Sequence, residues 1–378
     1  MMKAGVYIHI PFCRSRCSYC DFATGMYESA LTEKYVGAVE KEIREWNQVE
    51  PEDVDTIYFG GGTPSLLSPN QVQQILDAVH HRFNVIGGAE VTLEMNPGPE
   101  LWSKKLRETR HLGVNRASFG AQTFDDAQLR RLGRTHTSDD IHTTFRHLRE
   151  AGFDNINFDL IAGLPGQTLD GWVRNLDEAL ALRPEHLSLY LLDIHEGTPL
   201  ADQIRRGMHP TPDDDLAAEM YSRMVDRVRK AGYEHYEISS FSLSGLESRH
   251  NTKYWTGAPY YGFGCSAHSY DGRFRRWSNE RDVARYTESL ESNRSAIVEG
   301  TVLSDADARA ESMFLGLRMM RGLDARSFAD RFGADPREEY KDDLARFCEA
   351  GLIEVDGELI RLTPNGALFS NEVFAAFV

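Results

Sequence analysis

Three closely spaced cysteines near the start of the chain are the first residues whose types and spacing indicate chemistry. Cys13, Cys17 and Cys20 follow the pattern C-x₃-C-x₂-C within FCRSRCSYCDF, and the next cysteine is Cys265. The arginines and serines between them indicate a polar loop rather than three packing cysteines. A [4Fe–4S] cluster held by three thiolates would leave one iron open for another ligand. Zinc would need a fourth protein ligand, for which His9 is the candidate. The loop favours the cluster, with zinc as the alternative.

Glycines and polar residues also stand near the ends of the predicted strands. The run GGGTP at 60–64 ends the second strand, and residues without Cβ atoms let the backbone approach a ligand closely. Glu94 ends the third strand, where βα barrels place ligand contacts, and its carboxylate suits a ribose diol. Gln122 follows the fourth strand and Arg134 begins the next connection. Asp159 lies inside the apolar run INFDLIAGLP, where an acid needs a partner. These residues predict a ligand site at one end of a sheet.

Short β-rich runs alternate with longer helical patterns over the first two thirds of the chain. Several runs are almost continuously apolar, which is typical of parallel strands covered by helices. One helix is delimited clearly, with Ser68 as N-cap, Pro69 at the first position and Gln71 completing a capping box. About six βα units in series predict a complete or partial parallel βα barrel. The predicted strands cover 6–10, 55–59, 90–95, 115–120, 156–161 and 186–192.

The pattern changes beyond the barrel. We expect a barrel domain over 1–245, an aromatic and glycine-rich connecting region over 246–303, and a helical domain over 304–378. The last segment reads as a β-hairpin turning at Asp356-Gly357, so this domain resembles a winged helix. Residues 304–378 carry 15 acids against 9 bases, which favours a structural or docking role over DNA binding.

The composition restricts the class of protein. The 378 residues carry a net charge of −16, which argues against a nucleic-acid partner. Nothing resembles a signal peptide, and no apolar run approaches the roughly 18 residues needed to span a bilayer. Five cysteines, three of them in one cluster, form a poor disulfide framework. We therefore expect a cytoplasmic protein.

Taken together, the motifs resemble a known family. YIHIPFCRSRCSYC, FGGGTPS, EMNPG, FGAQTF, LGRTH and DLIAGLPGQT, in that order, are similar to radical S-adenosylmethionine proteins related to oxygen-independent coproporphyrinogen III oxidase. The resemblance covers roughly residues 5–270 and implies an α/β fold with a partial (β/α)₆ barrel. It also implies that Cys13, Cys17 and Cys20 ligate a [4Fe–4S] cluster whose open iron chelates S-adenosylmethionine. We hypothesise that Arg134 and Asp159 pair to orient the nucleoside. The positions implied to contact S-adenosylmethionine are Tyr7, Tyr19, Gly61, Gly62, Thr63, Glu94, Gln122, Arg134, Asp159 and Asp193.

The family has at least two branches, and this chain resembles the second. The oxidases carry a fourth cysteine two residues after the third, together with a longer N-terminal arm. Here Phe22 takes that position and only twelve residues precede Cys13. The radical-SAM heme chaperones share both features and an H-N-x-x-Y-W element, which begins here at His250. An imidazole is a competent axial ligand for heme, so His250 is the predicted heme ligand, with His268 as the second candidate. Tyr254 and Trp255 would supply flat apolar surface, and Arg249 would meet a propionate.

The sequence therefore predicts a protein that binds heme and delivers it to apo-hemoproteins. The alternative is an oxidase that decarboxylates coproporphyrinogen III, and whether the chain is an enzyme stays open. The expected ligands are a [4Fe–4S] cluster, S-adenosylmethionine and heme. Further expectations are an electron donor for the cluster, a homodimer, and peripheral membrane contact through respiratory partners.

Overall fold

The computed structural model describes residues 2–48 and 53–377. The strands are β1 Ala4–Ile10, β2 Phe12–Cys13, β3 Gly25–Met26, β4 Asp53–Gly61, β5 Asn84–Met95, β6 Arg116–Gln122, β7 Ile156–Ala162, β8 His186–Leu191, β9 Glu234–Glu237, β10 Ser240–Ser242, β11 Tyr260–Phe263, β12 His268–Tyr270, β13 Arg275–Asn279, β14 Ile297–Val302, β15 Leu323–Asp324, β16 Ile353–Asp356 and β17 Leu359–Leu362.

The α-helices are α1 Ser29–Arg44, α2 Pro69–Arg82, α3 Ser103–His111, α4 Asp126–Arg131, α5 Ser138–Glu150, α6 Leu169–Leu182, α7 Pro199–Arg205, α8 Asp214–Lys230, α9 Arg249–Thr256, α10 Val283–Glu291, α11 Asp305–Leu317, α12 Ala325–Phe332, α13 Pro336–Glu339, α14 Lys341–Glu349, α15 Pro364–Leu368 and α16 Ser370–Phe374. Short 3₁₀ turns cover Pro64–Leu66 and Ala375–Phe377. None of the described helices is long and apolar enough to cross a membrane.

One twelve-stranded sheet dominates the molecule, with the order β14-β13-β12-β11-β1-β4-β5-β6-β7-β8-β10-β9. Its centre is parallel from β1 through β4, β5, β6 and β7 to β8. These six strands coincide with the six predicted from the sequence, so the partial (β/α)₆ barrel is confirmed. Antiparallel strands continue the sheet at both edges.

Alternation along β6 shows how the barrel places its polar residues. Ala117, Phe119 and Ala121 lie in the hydrophobic core against the helices. Ser118 and Gln122, at the intervening positions, line a cavity inside the barrel. Because successive side chains of a strand point to opposite faces, the same strand packs against the core on one face and lines the cavity with polar side chains on the other.

Local chemistry fixes the helix ends, and the capping box predicted at Ser68 is present. Ser68 accepts the backbone N–H of Gln71 while the Gln71 side chain accepts that of Ser68, which completes the capping box at the start of α2. Gly152 and Gly232 follow α5 and α8 with φ of 86° and 93°, a conformation that favours glycine.

The two segments after the barrel differ in how they pack. Most of 246–303 folds into α9, β11–β14 and α10 and extends the barrel sheet, and its short strands explain why the sequence showed little periodicity. The C-terminal segment forms a separate three-stranded sheet, β15-β17-β16, beneath helices with their own core. The predicted hairpin is present, with Gly357 at φ 60° between β16 and β17. The domain boundaries themselves remain predictions.

Candidate functional site

A cavity of about 350 Å³ opens where the parallel strands end. Residues from the cysteine loop and from β4, β5, β6, β7 and β8 line it together, as expected for strands whose carboxyl ends meet at one edge. Of the predicted site residues, the cavity brings together Cys13, Cys17, Tyr19, Cys20, Gly61, Gly62, Glu94, Gln122, Arg134, Asp159 and Asp193.

The cysteine loop is held in place by the turn that follows α4. The backbone N–H of Ser18 donates to Leu132 O at 2.9 Å, and its hydroxyl donates to Arg131 O at 3.3 Å. All three cysteines are free and half-buried. They face one cavity and come from a single short loop. This arrangement fits a cubane cluster, in which each thiolate binds a different iron.

His9 does not act as the fourth ligand that zinc would need. Its Nδ1 lies 3.1 Å from Tyr7 Oη and its Nε2 lies 3.0 Å from Ala23 O. Both ring nitrogens are thus engaged, so the imidazole ties the end of the cysteine loop to the barrel wall. Within the described residues, no three His, Cys, Asp or Glu side chains converge closely enough to hold one metal ion.

The glycine run at the end of β4 packs against the entry to the cysteine loop. Gly61 has φ of 107°, and a Cβ there would lie 2.6 Å from the His9 ring. The N–H of Gly62 donates to Ile10 O at 2.8 Å, and a Cβ at Gly62 would lie 2.8 Å from Phe12 O. Because Gly61 and Gly62 have no Cβ atoms, the end of β4 packs closely against the cysteine loop and leaves the path to the cavity open.

Glu94 is a buried carboxylate with two donors. Tyr58 Oη donates to it at 2.7 Å and the N–H of Gly61 donates at 3.1 Å. Burial raises the pKa of Glu94 to about 7, and the nearby Asp159 adds to the shift. A ligand that offers hydroxyl donors would stabilise the ionised form, which suits the predicted ribose contact.

Arg134 and Asp159 do not form the salt bridge we hypothesised. The Arg134 guanidinium instead donates to Asn96 Oδ1 at 2.6 Å and to Tyr19 Oη at 2.8 Å. Asp159 accepts from Asn157 Nδ2 at 2.8 Å, and burial raises its pKa. The direct pair we hypothesised is therefore absent, and Arg134 acts on Asp159 only at longer range, where its positive charge opposes the effect of burial on the pKa of Asp159. Both side chains still line the same cavity.

The remaining predicted contacts divide into two groups. Gln122 lies in the cavity wall with φ of 64°, a strained value for a residue with a Cβ, and Asp193 lies at the exposed rim. Tyr7 and Thr63 are not part of the cavity wall. Tyr7 stacks on Tyr58 deeper in the barrel, and Thr63 donates to Cys13 Sγ at 3.5 Å from behind the loop.

Comparison with known proteins identifies the family to which the chain belongs. Residues 7–179 match the family model of the Radical SAM superfamily, and residues 303–369 match that of the HemN C-terminal domain. The chain is 36% identical to the heme chaperone HemW of Bacillus subtilis, covering 98% of both chains. It is 35% identical to the heme chaperone HemW of Mycobacterium tuberculosis, covering 98% of this chain and 93% of that protein. The chain belongs to the HemW family.

A solved structure agrees on the fold of this HemW-family protein. The coproporphyrinogen III oxidase HemN from Escherichia coli superposes with a TM-score of 0.85, covering 100% of this chain and 90% of that one, at 24% identity. At that identity the similarity is evidence for the fold alone. The predicted family, the α/β class and the C-terminal domain are confirmed.

The HemW-family residue predicted to bind heme, His250, lies away from the cavity. It is completely buried at the start of α9, with Nδ1 2.9 Å from Thr56 Oγ1 and Nε2 2.9 Å from Tyr254 Oη. Burial lowers its pKa to about 3, so the ring is neutral. With both nitrogens occupied, neither is available to an iron in this conformation.

The neighbours of His250 are also engaged. Arg249 donates to Gly88 O and to Asp55, and the guanidinium of Arg318 stacks over the Trp255 ring at 4.2 Å. His268 is an exposed residue of β12, outside the described cavities of this region. His250 does not line the barrel cavity, although Asn251 of the same motif does, and Trp255 lines a separate cavity of about 450 Å³.

Sequence reasoning missed several residues of the cavity wall. A spacing of two positions from a predicted residue, as strand alternation gives for side chains on one face, identifies two of them. Asn157 precedes Asp159 in this way on β7, whereas Asn96 follows Glu94 just beyond the end of β5. The missed residues are Tyr58, Asn96, Ser118, Asn157, Ser188, Tyr190 and Asn251.

Proposed function

We propose that this protein is a heme chaperone, which binds heme and transfers it to apo-hemoproteins. The observation that carries the proposal is the full-length similarity to several proteins named heme chaperone HemW, at 34–36% identity. That similarity spans the barrel, the connecting segment and the C-terminal domain together, so it includes more than the cofactor site common to the superfamily.

The barrel cavity is the proposed site of the cluster and of S-adenosylmethionine. Cys13, Cys17 and Cys20 would hold the cluster, and Glu94 would accept the ribose hydroxyls. The cluster held by these cysteines would supply one-electron reduction of the sulfonium of S-adenosylmethionine. The chain's own contribution is positional: Arg134, fixed by Tyr19 and Asn96, presents a buried cation beside the cysteine loop. The remaining proposed contacts are Gly61, Gly62, Gln122, Asp159 and Asp193, with Tyr7 and Thr63 acting from behind them.

Phe22 supports the chaperone over the oxidase. It is 61% exposed at the edge of the cavity, in the place where the oxidase pattern has a fourth cysteine. Its side chain cannot ligate a metal. Its exposed ring instead offers apolar surface beside the cluster loop.

Several finer features belong to the proposal. Cytoplasmic residence suits the five cysteines, all of them free. An electron donor must reach the cluster loop if S-adenosylmethionine is cleaved. A homodimer and peripheral contact with membrane-bound respiratory proteins would bring the chaperone close to its recipients.

A transfer assay tests this function. The cluster-loaded protein is charged with ferric heme and mixed with the apo-form of a b-type cytochrome. Transfer should be faster than in a mixture of free heme with apo-cytochrome and serum albumin, because a specific chaperone releases heme on contact with a recipient. Transfer no faster than from albumin would contradict the proposal.

An anaerobic decarboxylase assay discriminates the alternative. The reconstituted protein, a reductant and S-adenosylmethionine are incubated with coproporphyrinogen III. We expect no vinyl product above that of a Cys17→Ser control. Cysteine-dependent formation of vinyl groups would establish the oxidase and overturn the chaperone as the main function.

A further inference from the structure

An imidazole that ligates heme iron needs a free ring nitrogen, and the porphyrin needs flat apolar surface beside it. Both ring nitrogens of His250 are occupied, and so are those of His9 and His186. At the cysteine end of the barrel, two histidines line described cavities: His195 at the mouth of the barrel cavity, and His136 in a second cleft. The surroundings of these two histidines show which of them is suited to ligate heme iron.

The second cleft, here called the outer cleft, has a volume of about 520 Å³. It lies between the cysteine loop and the connection from β5 to α3. Ser15, Cys17, Asn96 and Arg134 line both the outer cleft and the barrel cavity, so the cysteine loop forms part of the wall between them. The outer cleft is defined by Arg14, Leu66, Pro97, Pro99, Trp102 and His136, among others.

His136 has the free nitrogen that His250 lacks. Its Nε2 lies 3.4 Å from Ala121 O, a long hydrogen bond, and its Nδ1 has no hydrogen-bond partner among the described residues. When Nε2 carries the proton, the Nδ1 lone pair is available to a metal. Burial and the nearby Arg134 lower the pKa of His136 to about 4, so the neutral ring persists at physiological pH.

The outer cleft also offers the two other features that a heme needs. Trp102 is 55% exposed, and its indole together with Pro97 and Pro99 provides flat apolar surface. Arg14 is 62% exposed and 3.9 Å from Glu100, so this loose pair leaves the guanidinium accessible to a propionate. Lys105 lies nearby and donates to Ser65 O at 2.5 Å.

His195 is less suited to the same ligand. Its Nε2 lies 3.8 Å from a carboxylate oxygen of Asp21 and 3.8 Å from one of Asp193. Two acids beside the imidazole would repel the propionates of a heme.

We propose that the outer cleft is the heme site, with His136 Nδ1 as an axial ligand, Trp102 against the porphyrin and Arg14 at a propionate. This inference rests on the proposed function and names its binding site. Heme bound there would lie across the cysteine loop from the cluster, so occupancy of either site would affect the other through Cys17 and its neighbours.

A heme titration of matched variants tests the site. His136→Gln keeps a side-chain amide that can donate to Ala121 O but cannot ligate ferric iron in the same way. His142→Gln is the control, because His142 is an exposed residue of α5 outside the outer cleft. Each cluster-loaded protein is titrated with ferric heme, and the Kd, the Soret maximum and the electron paramagnetic resonance spectrum are recorded.

We expect His136→Gln to weaken heme binding at least tenfold and to change the spin state, while His142→Gln matches the wild type. Circular dichroism and cluster content establish that the variants are folded. If the wild type binds heme and His136→Gln keeps its Kd and spectra, the assigned site is wrong and the chaperone proposal stands. If the wild type binds no heme, both are overturned.

The propionate contact is tested separately. Arg14→Ala should weaken heme binding about threefold to tenfold and leave the binding of heme dimethyl ester, which lacks free carboxylates, unchanged. Equal losses for heme and for the ester would contradict the role of Arg14. Trp102→Ala should weaken both ligands, because it removes apolar surface. Unchanged binding of both ligands by Trp102→Ala would overturn the assignment of the porphyrin face.

Discussion

The polar groups at the two ends of the barrel differ in what they contact. At the cysteine end, three free thiols, a buried carboxylate and an arginine converge on a cavity. At the other end, α9 packs across the starts of the strands, and the polar groups of Arg249, His250 and Lys253 are bonded within the protein, whereas the buried Trp255 Nε1 has no hydrogen-bond partner in the described part of the chain. Glu90 accepts the N–H groups of Arg249 and His250, both at 3.0 Å, and Lys253 bonds to Asp55 and to Lys3 O.

This difference indicates that the cysteine end is a ligand site, whereas α9 closes the other end of the barrel and stabilises the fold. His250 and His136 are both imidazoles in family motifs, but one has two partners and the other has a free nitrogen. A buried polar group with all its partners stabilises the fold, whereas one without a partner is available to a ligand. We infer that the H-N-x-x-Y-W element mainly closes the barrel, although Asn251 reaches the cavity.

The largest effect is expected at the cysteine end. Cys17→Ser removes one of three ligands, so the reconstituted protein should lose nearly all iron and sulfide and its brown colour. Because Cys17 is half-buried, the cluster-free chain should unfold at nearly the wild-type temperature. Iron and sulfide analysis with calorimetry of the cluster-free forms measures both. Retention of a full cluster would refute the three-cysteine site.

Arg134→Lys should weaken S-adenosylmethionine binding by about tenfold. Lysine keeps the charge but lacks the planar fork whose two nitrogens donate separately to Asn96 and Tyr19, so the cation loses its fixed position. Equilibrium dialysis with the cluster-loaded protein measures the affinity, and Arg131→Lys, on the exposed end of α4, is the matched control. Equal affinities for both variants would exclude this positioning role.

At the closed end the expected effect is on stability. His250→Ala leaves Thr56 and Tyr254 without their partner and opens a buried cavity, so the free energy of unfolding should fall by about 2–4 kcal/mol. His268→Ala, at an exposed position, should change it by less than about 0.5 kcal/mol. Denaturant titration measures both. Heme affinity should be unchanged in His250→Ala, and a loss of heme binding without a loss of stability would restore His250 as the ligand.

The same histidine predicts a pH dependence. Burial, Lys253 and Arg116 lower its pKa to about 3 while Asp55 opposes them, and the unfolded chain has an ordinary value near 6.5. Between these values the unfolded state binds the extra proton, so stability is full above about pH 6.5 and falls as the pH drops toward 3.

The free energy of unfolding of the wild type, measured relative to that of His250→Gln, should therefore fall by about 2 kcal/mol between pH 7 and pH 5. The comparison cancels the other titrating groups, since both proteins share them. Denaturant titrations at the two pH values provide the measurement. A constant difference would mean that the folded protein also protonates His250.

The smallest effect is expected at Phe22. Phe22→Cys restores the fourth cysteine of the oxidase pattern at a position that is 61% exposed, so the free energy of unfolding should change by less than about 0.5 kcal/mol. Cluster content should also be unchanged, because the three existing cysteines suffice. Absorbance spectra and the decarboxylase assay check this, and a new cysteine-dependent activity would mean that Phe22 alone separates the branches.

Much of the architecture followed from local patterns. The six apolar runs, the capping box at Ser68 and the glycine-ended hairpin at Gly357 are short-range features, and each appears where it was predicted. The antiparallel strands between residues 260 and 302 were not predicted, because strands this short lack a clear period. Their place at the sheet edge depends on pairing with β1, which is distant in sequence.

The cofactor class was readable from the sequence, because the C-x₃-C-x₂-C loop and the family motifs that follow it are local patterns. The sequence also indicated most of the cavity, because residues that end parallel strands meet at one edge. The hydrogen-bond partners of each polar group became visible in the folded structure. In that structure Arg134 donates to Asn96 and not to Asp159. Both ring nitrogens of His250 are hydrogen-bonded, to Thr56 and to Tyr254. His136 lines the outer cleft and keeps one ring nitrogen free. Hydrogen bonds between residues distant in the chain set these outcomes, and spacing along the sequence does not encode them.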